Sequence, residues 1–268
     1  EMVARTVDQA SRVMQHEQKD LIFRAKNKAE ERDQPPNGEV KPDSSKWRSR
    51  KQLHLVRKIF HALAGIGMAS VYQYVLTREQ TLWIFGALFA TLGTGEWVRL
   101  KYPNNVVSKL AMVIMQTLAR TYEMKHMSGM IYFVTGVLIC VGFYPKKVAV
   151  LSILFLAIGD PAASTCGIQW GSLGPKFSNG KSLIGFLGGL MSCAITTAIF
   201  YYSETGPSMS LLLVSLLGGL SGGITELLCG RVVEGSGGPI DIDDNLAVPV
   251  GSGLLFYLSL LQLFPSFL

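Results

Sequence analysis

Between Ile158 and Gly189 the chain reads IGDPAASTCGIQWGSLGPKFSNGKSLIGFLGG, an aspartate at the end of one apolar run and a lysine just before the next. These are residue types that handle phosphate. Glycine lets a backbone approach phosphate oxygens and offer its amides to them. Lys181 adds a point charge for phosphate. A carboxylate such as Asp160 can hold a divalent cation between phosphate groups. Together they suit a nucleoside triphosphate. The plain alternative is a loop whose glycines pack helices, since glycine is common in membrane helices. Asp160, inside an apolar segment, argues against that alternative. The stretch GPKFSNGKS, 174–182, imitates a P-loop, but five residues separate its glycines where that loop needs four.

A second constellation is GGPIDIDDNLAVPVGSG, 237–253. Asp241, Asp243 and Asp244 would repel one another without a positive partner. A magnesium or calcium ion carried on phosphates is one partner. The other reading makes one aspartate a helix cap and leaves the rest in water. A third is RKIFHALAG, 57–65, where Arg57 and Lys58 either anchor a helix at the interface or meet phosphate. His61 shares their helical face one turn further in. Glu96 and Arg99 are spaced to pair along a helix. Glu226, in GGITELL, closes an apolar segment among small residues, where a carboxylate needs a partner.

The elements that must position these groups are membrane helices. Of 268 residues 49% are hydrophobic and 16% charged, and the mean hydropathy is +0.30. Residues 1–58 hold 14 of the 25 Lys and Arg and 9 of the 19 Asp and Glu. We therefore divide the chain into a polar, basic tail, 1–54, and a polytopic membrane domain, 55–268. The tail has helical composition to about residue 33 and then a breaker-rich linker, DQPPNGEVKPDSS. Its charge suits an anionic lipid surface, and no nucleic-acid recognition motif accompanies it. No signal peptide is expected. Cys140, Cys166, Cys193 and Cys229 form no C-x-x-C pair and read as buried thiols.

A spanning helix needs about 20 apolar residues. Seven segments qualify: 59–77, 81–99, 129–145, 148–166, 183–202, 209–228 and 246–265. An interfacial helix is expected over 106–126. Lys and Arg favour the connections 100–128, 167–182 and 229–245, which places these and the basic N-terminus in the cytosol. The ionisable residues named above then gather at the cytosolic face.

Four patterns together resemble one family. They are R-K-x-F-H at Arg57–His61, D-x-x-A-x3-G-x3-G at Asp160–Gly171, N-G-K-S-x-x-G at Asn179–Gly185, and D-D-N-x-x-x-P at Asp243–Pro249. The family is the CTP-dependent lipid alcohol kinases, which includes fungal diacylglycerol kinase, dolichol kinase and plant phytol kinase. The resemblance covers about 57–260, and the length and N-terminal tail look most like the fungal diacylglycerol kinases. Gly180 departs from the family pattern. The resemblance implies an all-α polytopic enzyme of the endoplasmic reticulum and nuclear membrane, with its active site in the cytosol. It would transfer the γ-phosphoryl group of CTP to diacylglycerol, giving phosphatidate and CDP. Asp160, Ala163, Gly167, Gly171 and Lys181, with Ser182 and Gly185, would form the CTP site, and Asp243 and Asp244 would be essential. Our assignment gives metal binding to Asp160, Asp244 and Glu226, and phosphate charge to Lys181, Arg57 and Lys58. His61, Asp243 and Glu226 stand as alternative bases for the acceptor hydroxyl. A polyprenol acceptor, cytidylyl transfer and a transporter are the rival readings.

Overall fold

The computed structural model describes residues 55–106, 108, 126–229 and 243–268, all in the second of the two units into which the chain divides, Trp47–Leu268. The N-terminal tail, most of the expected interfacial helix, and Asp241 lie outside the described residues, as does the Arg57 side chain. What is described is helical. The helices are α1 (Leu55–Tyr74), α2 (Arg78–Lys101), α3 (Gly129–Phe143), α4 (Lys146–Leu154), α5 (Asp160–Trp170), α6 (Leu183–Thr205), α7 (Met209–Leu228) and α8 (Asp244–Leu263). A π turn, Phe155–Gly159, joins α4 to α5, and short 3₁₀ turns follow α5 and α8.

Helix starts follow the sequence. Thr77 and Gln80 form a reciprocal capping box at α2, and the Ser128, Ser182 and Ser208 hydroxyls cap α3, α6 and α7. Four helical stretches are long and apolar enough to cross a bilayer: Lys146–Leu173, Leu183–Thr205, Met209–Leu228 and Asp244–Leu263. Helix α3 is apolar but shorter. Helices α1 and α2, which we expected to span, are diluted by polar residues such as Gln73 and Glu96 and fall outside that group. The chain is an all-α polytopic membrane protein. One expectation is corrected. The segment 167–182 is not a loop throughout, because the helix runs on past Gly167 to Trp170 and a 3₁₀ turn continues to Leu173.

The bundle closes around α4. Its Val148, Ala149, Leu151 and Ile153 are wholly buried, as expected of a helix apolar on every side. Around it, small residues let backbones approach. A Cβ at Gly222 would meet the Cys193 sulfur, one at Gly251 would meet Thr225, and one at Gly136 would meet Pro249. The π turn has a cause in the sequence. Pro161 has no N–H, and its ring would clash with the carbonyl of Ala157 in a regular helix. The wider preceding turn relieves that clash without ending the helix.

The two ends of the bundle differ. At one end, Lys147 Nζ pairs with Glu204 at 2.7 Å, Arg78 donates to the Gly142 carbonyl, and Tyr201 donates to the Phe267 carbonyl at 2.8 Å. Lys181 and Glu226, and the pair Glu96 and Arg99, lie toward the other end. There Glu96 and Arg99 form the expected pair, and it is buried. Arg99 donates twice to the Glu96 carboxylate at 2.9 Å and to the His126 carbonyl at 2.6 Å, while the Ser128 amide donates to Glu96 at 2.9 Å. The pair therefore ties the end of α2 to the start of α3. Glu96→Ala removes the carboxylate that takes two bonds from the buried Arg99 and one from the Ser128 amide, and should cost about 3–5 kcal/mol. Thermal unfolding in detergent checks this, and an unchanged melting temperature would contradict it.

Candidate active site

Asp160 begins α5 immediately after the π turn. Asp160, Ala163, Gly167 and Gly171 recur at steps of three and four, so they share one helix face. That face packs on the start of α6. A Cβ at Gly167 would lie 3.2 Å from Ser182 Oγ and 3.5 Å from the Gly185 Cα. One at Gly171 would lie 2.8 Å from Ser182 Oγ, and one at Gly189 3.0 Å from the Ala163 Cβ. Gly185, Ser182 and Ala163 are buried in this seam. Their spacing therefore seats one helix on another, with Asp160 at the end of the row.

Across from Asp160 stands α1. Lys58 Nζ donates to Thr165 Oγ1 at 3.3 Å, and the Asp160 carboxylate acts electrostatically on the same ammonium. His61 lies one turn further along α1, its ring 6.0 Å from that of Phe133 on α3. So α1 brings Lys58 to α5 and turns His61 toward α3.

Lys181 is presented by a tight hairpin. Phe177 N donates to the Lys181 carbonyl at 2.8 Å and Gly180 N donates to the Phe177 carbonyl at 2.9 Å. Gly180 has φ +81°, the left-handed conformation that such three-residue turns require. The residue that departs from the family pattern thus turns the hairpin and aims the lysine that follows. Lys181 Nζ donates to Glu226 Oε1 at 2.7 Å, to the Cys229 carbonyl at 2.8 Å and to the Glu226 carbonyl. All three ammonium hydrogens are thereby used. The lysine neutralises Glu226 and caps carbonyls that the last turn of α7 leaves unpaired, at the end where the helix dipole favours a cation. Asn179 fastens the same junction. Its Nδ2 donates to the Leu227 carbonyl at 2.7 Å and its Oδ1 accepts from Lys181 N at 3.1 Å.

The acidic run meets this cluster from α8. Asp243 caps that helix, its Oδ1 accepting from Asn245 N at 3.0 Å and from Asn245 Nδ2 at 2.8 Å. Asp244 follows in the first turn and accepts from the same backbone amide at 3.1 Å. Asp244 also acts on Cys229: burial pushes that thiol up, Lys181 pulls it down, and Glu226 and Asp244 push it up. A thiol so placed stays protonated at neutral pH. Next to Asp160 in the chain, Gly159 packs on Cys193 of α6. That sulfur fills the space where a Gly159 side chain would be, and Glu226 acts on it electrostatically.

The structure thus brings Lys58 and Asp160 together between α1 and α5, and Lys181 and Glu226 together where α6 begins and α7 ends, with Asp244 acting on the neighbouring Cys229. Among the described residues, no three His, Cys, Asp or Glu side chains are close enough to hold a metal ion. Sequence reasoning left Glu226 without a partner, named Asn179 only as the start of a motif and gave Thr165 no role. A signal for Asn179 existed, since asparagine before glycine is a turn residue whose amide readily bonds nearby backbone.

Comparison with known proteins agrees with the family resemblance. A Schizosaccharomyces pombe protein named CTP-dependent diacylglycerol kinase 1 is 30% identical over 224 residues, covering 80% of this chain and 96% of its own. The Saccharomyces cerevisiae protein of that name is 27% identical, covering 74% of this chain and 70% of its own. The Eremothecium gossypii protein is also 27% identical, over 75% of this chain and 65% of its own. No family model and no solved structure matches.

Proposed function

The chain belongs to the family of CTP-dependent diacylglycerol kinases, and on that premise we propose that it transfers the γ-phosphoryl group of CTP to the free hydroxyl of diacylglycerol, yielding phosphatidate and CDP. The observation that carries this reading is the Lys181–Glu226 pair where α6 begins and α7 ends, with Asp244 acting on the neighbouring Cys229 and Asp160 on Lys58 between α1 and α5. An enzyme whose acceptor stays in the bilayer needs its charged groups at that level.

Phosphoryl transfer is mainly positioning and charge neutralisation. Lys58 and Lys181, with Arg57, supply positive charge for phosphate oxygens. Lys181 does so by exchanging one of its three protein acceptors. The seam of Ala163, Gly167, Gly171, Ser182 and Gly185 holds Asp160 and the Lys181 hairpin in register. A divalent cation, magnesium or calcium, would offset phosphate charge when bound. Magnesium arriving with a nucleotide needs only one or two protein carboxylates. Asp160 and Asp244 suit that duty, whereas Glu226 is already paired with Lys181. Of the alternative bases, Asp243 is held as the cap of α8, so His61 and Glu226 remain the groups from which a base for the hydroxyl would come. The acceptor hydroxyl would approach this end of the bundle while its acyl chains stay among the helices.

We place the protein in the endoplasmic reticulum and nuclear membrane with this end in the cytosol. Residues 55–268 are then the catalytic membrane domain, and the tail, 1–54, rests on anionic lipid. Labelled CTP offered with diacylglycerol and with dolichol to the purified protein tests the acceptor. Label in phosphatidate is expected. Label in dolichyl phosphate alone would replace diacylglycerol by a polyprenol.

A further inference from the structure

We infer that Asn179 is a positioning residue for phosphoryl transfer, an amide clamp that fixes the Lys181 hairpin to the end of α7. The inference rests on the role given above to Lys181. A single side chain bonds both partners, and with opposite polarity. Its NH₂ group seals the Leu227 carbonyl, one of those the helix end leaves unpaired, and its carbonyl oxygen receives the Lys181 amide. The hairpin itself is held by three backbone bonds, Phe177 to Lys181, Gly180 to Phe177 and Leu183 to Pro175. None of the three reaches α7. Among the described residues, the Asn179 amide and the Lys181 ammonium hydrogen-bond the hairpin to that helix. If the ammonium exchanges an acceptor for phosphate, the asparagine keeps the lysine in register with Glu226.

The polarity can be tested. Asn179→Ala removes both bonds. Asn179→Asp keeps the shape, the turn preference and the acceptor for Lys181 N, but sets a carboxylate oxygen against the Leu227 carbonyl, close to Glu226. The Leu227 carbonyl and Glu226 favour the protonated carboxyl, whereas the Lys181 ammonium and the Lys181 amide favour the ionised form. The balance of these groups sets the pKa of the introduced carboxyl. As pH falls through it, the O–H returns as a donor to Leu227 and the clamp re-forms.

The experiment measures kcat/KM for CTP with diacylglycerol across pH, and thermal unfolding in the same detergent, for the wild type and for Asn179→Ala, Asn179→Asp and Ser178→Ala. We expect Asn179→Ala to lose about tenfold or more in kcat/KM with little change in melting temperature. Asn179→Asp should be similarly weak at neutral pH, and its ratio to wild type should climb as pH falls, while the ratio for Asn179→Ala stays flat. Ser178→Ala, exposed on the same turn, should match wild type. Full activity of Asn179→Ala, or a flat ratio for Asn179→Asp, would overturn the inference. An inactive wild type would instead overturn the functional reading on which the inference rests.

Discussion

Asp160→Asn is expected to lower turnover by about a hundredfold or more while the protein remains folded in the membrane. The substitution keeps volume and shape and removes only charge. Removing one preorganised electrostatic contact to a reacting group typically costs that much. Asp160 stands at the end of the α5–α6 seam and acts on Lys58, which is held by Thr165. Were the aspartate only a partner for that lysine, its loss would appear chiefly as lost stability, because one charge of a half-buried pair would be left uncompensated. Activity and thermal unfolding in detergent therefore separate the two roles. A large loss of turnover at nearly constant melting temperature supports a role in the reaction. Parallel loss of both assigns Asp160 to structure, and full activity removes it from the site.

The neighbouring aspartates of α8 should separate in the same kind of experiment. Asp243 is bonded twice by Asn245 as the helix cap, whereas Asp244 lies in the first turn and acts on Cys229 together with Lys181 and Glu226. Asparagine and serine cap helices about as well as aspartate. Asp243→Asn and Asp243→Ser should thus keep stability to within about 1 kcal/mol and retain most activity. Asp244→Asn should lose about a hundredfold or more. We had assigned both aspartates to catalysis from the sequence, and the contacts suggest dividing the work. Equal inactivation by Asp243→Asn and Asp244→Asn would show that both carboxylates act in the reaction.

The two-ended character of the molecule was legible because hairpins of apolar helices alternate ends, and a membrane confines ionisable groups to one level. Glu96 with Arg99 was legible because its spacing alone places the two on one face. Other features were harder. Glycines that approach phosphate and glycines that seat helices are the same residue, so the end of the Asp160–Gly171 row, from Gly167 on, invited a loop. Its steps of three and four were the sign of a helix face. Glu226 plainly needed a partner, but Lys181 lies 45 positions away, and only the folded α6–α7 hairpin makes them neighbours. The π turn had its trace in Pro161, yet a proline inside an apolar run can equally end a helix or kink it. Gly180 looked like an insertion until its positive φ made it the hinge of the Lys181 turn.

The central claim is that CTP gives its terminal phosphoryl group to diacylglycerol at this site. The most direct test incubates the purified protein and diacylglycerol with CTP labelled at the α position in one sample and at the γ position in another. The account predicts γ label in phosphatidate, α label only in CDP, and loss of both products in Asp160→Asn. Label from the α position in the lipid, with pyrophosphate released, would contradict it and make the protein a cytidylyltransferase.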